Sequence, residues 1–185
     1  MKLKDLVPAA LIPAGEDDAI ELLTADHDKV QELFEDFEEI KESRANKEKD
    51  RIVAEACREL TIHTTLEEEI FYPAVRAAVG EADMMNEAQV EHDGAKELIS
   101  QLEASDASDD MFSAKFTVLI ENVRHHIKEE QDEMFPKARK SDLDLTALGR
   151  RMMERKQELM AGAKPARTRA RRKPAAKRSE SRSAR

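Results

Sequence analysis

Two histidines and one glutamate recur twice along this chain, in the same order and at nearly the same spacing. The first set is His27, within Asp26-His27-Asp28, then His63 and Glu67, within His63-Thr64-Thr65-Leu66-Glu67. The second is His92, within Glu91-His92-Asp93, then His126 and Glu130, within His126-Ile127-Lys128-Glu129-Glu130. The two histidines stand 36 residues apart in the first copy and 34 in the second. A proline follows ten residues after the later histidine in each copy, as Pro73 and Pro136. A histidine and a glutamate four apart share one helix face a turn apart, so both can reach one small volume. Four imidazoles and two carboxylates suit a pair of first-row metal ions, with each glutamate able to bridge them. Iron accepts such donors, as do manganese and zinc, and no thiolate is offered.

The repeat also selects between neighbours. Aligning Pro73 with Pro136 matches His63 to His126 and Glu67 to Glu130. It matches His125 to Ile62 and Glu129 to Leu66, which carry no ligand atom. The ligand set is therefore read as His27, His63, Glu67, His92, His126 and Glu130. Glu68 and Glu69 fall about 100° and 200° further round the helix and read as solvated. A single histidine–glutamate pair of this kind is usually a surface ion pair. Four of five histidines obeying one repeat is what carries the metal reading. Cys57 reads as a small buried residue.

To place these donors the chain needs helices. Charged residues make up 38% and aromatics 4%, with no Trp and five Gly, a composition that favours helix over sheet. Apolar spacing predicts a first helix from Asp17–Asp18 to a polar stretch at Lys41–Asp50. A second runs from about Arg51 to Val79, stopped by Gly80. A third covers about Ala82–Leu102, and a fourth runs from near Met111 to about Arg139, late in which Pro136, like Pro73 in the second, should kink or loosen its helix. A short amphipathic helix is expected at Leu143–Met160. The expected fold is all-α: an up-down antiparallel four-helix bundle made of two repeated helical hairpins. The organisation reads as an arm at 1–16, the bundle at 17–140, the short helix at 141–162 and a basic disordered tail at 163–185.

Charge separates the tail from the rest. Residues 164–185 carry ten Lys/Arg against Glu180, a net of +9, whereas the whole chain has a net charge of −9. The remainder is thus strongly acidic. The tail lacks large apolar residues and cannot bury a core. Its cations, among them Arg167, Arg169, Arg171, Arg172 and Lys173, point to weak contact with nucleic acid or another anionic surface. No aromatic interleaves them, so base stacking is not offered. A single cysteine suits a reducing cytoplasm, no apolar run has the length of a membrane span, and the N-terminal stretch does not read as a signal peptide.

The strings His63-TTLEEEIFYP and His126-IKEEQDEMFP, preceded by ADHDKV and VEHDGA, resemble the hemerythrin-like family, whose HHE cation-binding domain has the pattern His … His-x-x-x-Glu given twice. The resemblance spans about residues 17–140. It implies a four-helix bundle around two non-haem irons joined by an oxo or hydroxo bridge. It also implies that the protein binds or reacts with a small oxidant such as dioxygen, peroxide or nitric oxide. An iron- or oxygen-sensing or stress-response binding module, or metal storage, is the other role such a domain suggests. Oxygen-carrying members have a further histidine one turn beyond the third-helix ligand, where Lys96 stands here. The resemblance therefore implies a four-histidine, two-glutamate centre. Ferritin-like proteins use Glu-x-x-His instead, and no glutamate lies three residues before any histidine of this chain.

Overall fold

The computed structural model describes residues 18–162. The arm expected at 1–16 and the tail expected at 163–185, with Arg167, Arg169, Arg171, Arg172 and Lys173, lie outside the described residues. Among the described residues every regular element is helical. Helix α1 spans Ala19–Ile40 and starts at a capping box. Asp18 Oδ1 accepts from the amides of Ile20 and Glu21, and Glu21 reaches back to accept from the Asp18 amide. Three otherwise unpaired donors at the helix start are satisfied in this way.

Helix α2 covers Asn46–Leu66, beginning five residues before the expected Arg51. Its first turn is Asn46-Lys47-Glu48-Lys49-Asp50, which carries no apolar signal for a helix to be read from. It is held by polar contacts instead. Lys49 Nζ donates to the Lys41 carbonyl, and Arg51 pairs with Glu48 and Glu55.

Each proline has a specific consequence. The backbone runs from α2 through a π-helical segment at Glu67–Phe71 into α3, Tyr72–Val79. The twin segment joins α5, Phe112–Glu129, through π-helical Glu130–Met134 to α6, Phe135–Lys140. Pro73 and Pro136 lack an amide donor, and their rings crowd the carbonyl four residues earlier. The preceding turn widens, and the Tyr72 and Phe135 amides donate to the Glu67 and Glu130 carbonyls, five residues back. The loosening expected of the prolines takes this form. Helix α3 ends at Gly80, whose φ of 77° suits a residue without Cβ. Helix α4 is Ala82–Glu103 and helix α7 is Leu145–Gly162.

Helix α1 packs on α2 and α4 packs on α5, while α7 lies against α1, α2 and the first π segment. Two apolar clusters fill the interior. One contains Phe34, Phe37, Leu60, Phe116 and Ile120, with the Phe116 ring edge-on to Phe37 at 4.7 Å and to Phe34 at 5.8 Å. The other joins Leu23, Leu66, Phe71, Met85 and Phe135 to Leu148 and Met152 of α7. Each large side chain removed from water contributes about 1.5–3 kcal/mol. The histidines and glutamates singled out above belong to neither cluster; they form a buried polar layer. No helix among the described residues is long and apolar enough to cross a membrane.

Candidate metal centre

All six residues of the repeated pattern converge in the interior. His27 comes from α1, His63 from α2, His92 from α4 and His126 from α5, and Glu67 and Glu130 open the two π segments. Each is buried, Glu67 completely. The four Nε2 atoms turn inward in pairs: His27 and His63 are 3.1 Å apart, and His92 and His126 are 3.1 Å apart. Glu67 lies between the pairs, with Oε1 3.2 Å from His63 Nε2 and Oε2 3.3 Å from His92 Nε2. Glu130 Oε2 is 3.2 Å from His27 Nε2 and 3.6 Å from His126 Nε2. Both carboxylates therefore span the two halves.

The donor set fits cations. Both Glu67 oxygens and Glu130 Oε2 are buried without a hydrogen-bond partner. A buried carboxylate left in that condition costs several kcal/mol unless a positive charge meets it. Protons take that role in the metal-free chain. Burial disfavours the charged His63 ring, but the Glu67 carboxylate and the nearby Asp26 carboxylate outweigh it and push the ring up to about 10. Burial likewise opposes charge on His126, yet Glu130 and the bond to Glu91 push it up to about 9. Glu67 is held well below the usual carboxylate range: burial opposes this, and the His63 and His92 rings win.

A second ring of residues orients the imidazoles, and it follows the same internal repeat. His126 Nδ1 meets Glu91 Oε2 at 2.7 Å, and in the matching place His63 Nδ1 faces Asp26 Oδ2 at 3.7 Å. His92 Nδ1 meets Glu68 Oε1 at 2.9 Å, and in its matching place His27 Nδ1 lies 3.5 Å from the Gln131 amide. At His92 and His126 the carboxylate acceptor at Nδ1 selects the tautomer whose Nε2 lone pair points inward, as a metal ligand requires, whereas the Gln131 amide nitrogen beside His27 is a donor. Glu68 was expected to be solvated, and the structure corrects this. It is three-quarters buried against α4, a helix that a single-helix projection leaves out. Glu69 is exposed and paired with Arg155. His125 and Glu129 pair at the surface, away from the inward-facing atoms. Lys96, at the position of the further histidine in oxygen carriers, does not reach the centre. Its Nζ donates to both Glu68 oxygens, at 2.5 and 2.6 Å.

Tyr72 is the residue that sequence reasoning missed. Its hydroxyl donates to Glu130 Oε1 at 2.9 Å and lies 3.2 Å from both His92 Nε2 and His126 Nε2. Burial, with Glu130 and Glu67 nearby, holds its pKa well above 10, so it remains a neutral donor. On a regular helix Tyr72 would point about 180° from His63. The π segment adds about one residue to a turn and sets it back by about 100°, into the centre. Proline at a fixed offset from the ligands was the available signal. The twin of Tyr72 is Phe135, whose ring stacks on His27 at 5.8 Å and 7°. The two halves thus differ: one has a phenol oxygen, the other a plain ring. On one side of the centre Val30, Leu60, Ala95, Val123 and Ile127 line a narrow, mostly apolar cleft that ends at the histidines.

Fold and site together define an all-helical domain whose interior holds a histidine–carboxylate cation site. Comparison with known proteins gives the particular family. The chain belongs to the hemerythrin HHE cation-binding domain family, whose model matches residues 18–138. The crystal structure of a hemerythrin HHE cation-binding domain-containing protein from Mycobacterium kansasii has the same fold, with a TM-score of 0.64 over 78% of this chain and 88% of that one, at 24% identity. A protein of Nostoc sp. described as a DNA nickase is 29% identical over 115 residues, covering 62% of this chain. The match takes in 32% of that relative's length, so most of it has no counterpart in the matched region.

Proposed function

We propose that the protein is a non-haem di-iron protein of the cytoplasm that binds or reacts with a small oxidant: dioxygen, peroxide or nitric oxide. In this reading His27 and His63 hold one ion and His92 and His126 hold the other. Glu67 and Glu130 bridge them within an up-down four-helix bundle. The supporting observation is Glu67, whose two buried, unpartnered oxygens face one histidine of each half. Manganese or zinc would find the same donors, with iron preferred for redox chemistry. Bound iron would supply electron transfer to, or reversible ligation of, the oxidant. The protein's own residues orient the ligands through their outer partners, present the Tyr72 hydroxyl beside the second half and keep bulk water out. The apolar cleft favours a small uncharged molecule over a bulky or charged one. Iron per chain, measured on untagged protein expressed with iron, tests the reading: two irons support it. Glu67→Ala and Glu130→Ala proteins that keep full occupancy would refute the bridging assignment.

A second reading is an iron- or oxygen-sensing module whose tail contacts nucleic acid. The tail's net charge of +9 favours it, as does the similarity to a protein described as a DNA nickase. Turnover separates the two readings. A reactive centre clears peroxide or nitric oxide over many cycles, whereas a sensor reacts once and changes its salt-dependent affinity for DNA.

A further inference from the structure

Helix α7 follows the family-matched residues 18–138, yet it reaches the partners of the centre. Lys156 Nζ donates to Asp26 Oδ1, a contact across 130 positions of sequence, and Asp26 Oδ2 faces His63 Nδ1 at 3.7 Å. Both side chains are largely buried, Lys156 at 17% exposure and Asp26 at 11%. The adjacent residue Arg155 grips both oxygens of Glu69, inside the first π segment. The other half of the centre has a comparable chain of contacts made within the family-matched residues: Lys96 holds Glu68, and Glu68 accepts from His92 Nδ1.

We propose that Lys156 is a positioning residue for the half of the centre built on His27 and His63. Asp26 is one methylene shorter than its twin Glu91 and does not close a hydrogen bond on its histidine, where Glu91 does at 2.7 Å. A carboxylate buried there needs a cationic partner as a fixed anchor to remain aimed. Lys156 supplies it to Oδ1 and leaves Oδ2 directed at His63. The ring is thereby kept with Nδ1 outward and Nε2 toward Glu67. The α7 helix is then part of the metal site of one half, and the other half does not depend on it. This inference rests on the dinuclear reading above.

The test uses the full chain loaded with two equivalents of Zn2+, followed by transfer of the metal to a chromophoric chelator. In Lys156→Met one of the two ions should leave roughly 10-fold faster, the low end for loss of an outer partner, while the other keeps its wild-type rate. Lys156→Arg should restore the slow phase. Glu91→Gln should hasten the other ion, so the double variant Lys156→Met/Glu91→Gln should lose both quickly. Two ions released at wild-type rates from Lys156→Met would overturn the proposal. So would equal acceleration of both ions with a lowered Tm, which a merely structural helix would give, or a double variant with one slow ion remaining. Wild-type protein that takes up fewer than two ions would instead overturn the dinuclear reading itself.

Discussion

Replacing Tyr72 by Phe removes one oxygen atom from the interior and little else. The ring can stay, since the twin position already holds Phe135 stacked on a histidine. The main lost contact is a buried hydrogen bond of 2.9 Å to the Glu130 carboxylate, along with the 3.2 Å contacts to His92 and His126. Hydrogen bonds to charged groups contribute about 1.5–3 kcal/mol. Glu130 Oε2 already lacks a hydrogen-bond partner, so the variant leaves both oxygens of that carboxylate unsatisfied in the metal-free chain. A cost of about 2 kcal/mol follows, or roughly 4–8 °C in Tm for a chain of this size. Metal should offset much of it by meeting the carboxylate directly, so the loss should shrink in loaded protein. Urea unfolding of wild type and variant, each with and without metal, measures both numbers. A metal-free loss below about 0.5 kcal/mol, the lower limit for any net hydrogen bond, would refute the reasoning.

Three further outcomes are expected. In the metal-free chain His63 and His126 are pushed up to about 10 and about 9, so at pH 7.5 metal must displace protons from both. Calorimetry in buffers of different ionisation enthalpy should show about two protons released, with binding tightening as pH rises toward 9; zero release would contradict the raised values. For the metal-free fold the sign is opposite: raised pKa values stabilise below about 6.5 and that contribution is lost as pH rises through 9 to 10. Ala95→Leu should fill the cleft at a stability cost of about 1–3 kcal/mol, keep two metal ions and slow bleaching of the centre by peroxide; an unchanged rate would mean that the oxidant enters elsewhere. Burial pushes the Cys57 thiol up to about 12, so a thiol reagent at pH 8 should label it slowly in the native protein and promptly in denaturant, and equal rates would argue against a buried site.

Much of the candidate site was legible in the chain because metal ligands are chemically selective and helices are periodic. Histidine and glutamate four apart must share a face, and a second copy of the pattern distinguished His126 from His125 and Glu130 from Glu129. The structure puts the chosen pair inside and leaves the other at the surface. Helix ends were legible where local chemistry marks them, as at Asp18 and Gly80. The start of α2 was not, because its first turn is held by charged side chains that carry no apolar period.

What the sequence determined by itself was the set of inward donors, their pairing by repeat and the helical class. All three follow from residue type and from spacing within a single helix. The tertiary structure decided the rest: Tyr72 in the centre, Glu68 behind His92, and Lys156 behind Asp26. Tyr72 turns inward because the widened turn before Pro73 shifts the helical phase, which no fixed period anticipates. Glu68 and Lys156 act on partners 24 and 130 positions away. Such contacts exist once helices pack, and spacing along one helix carries no information about the face of another.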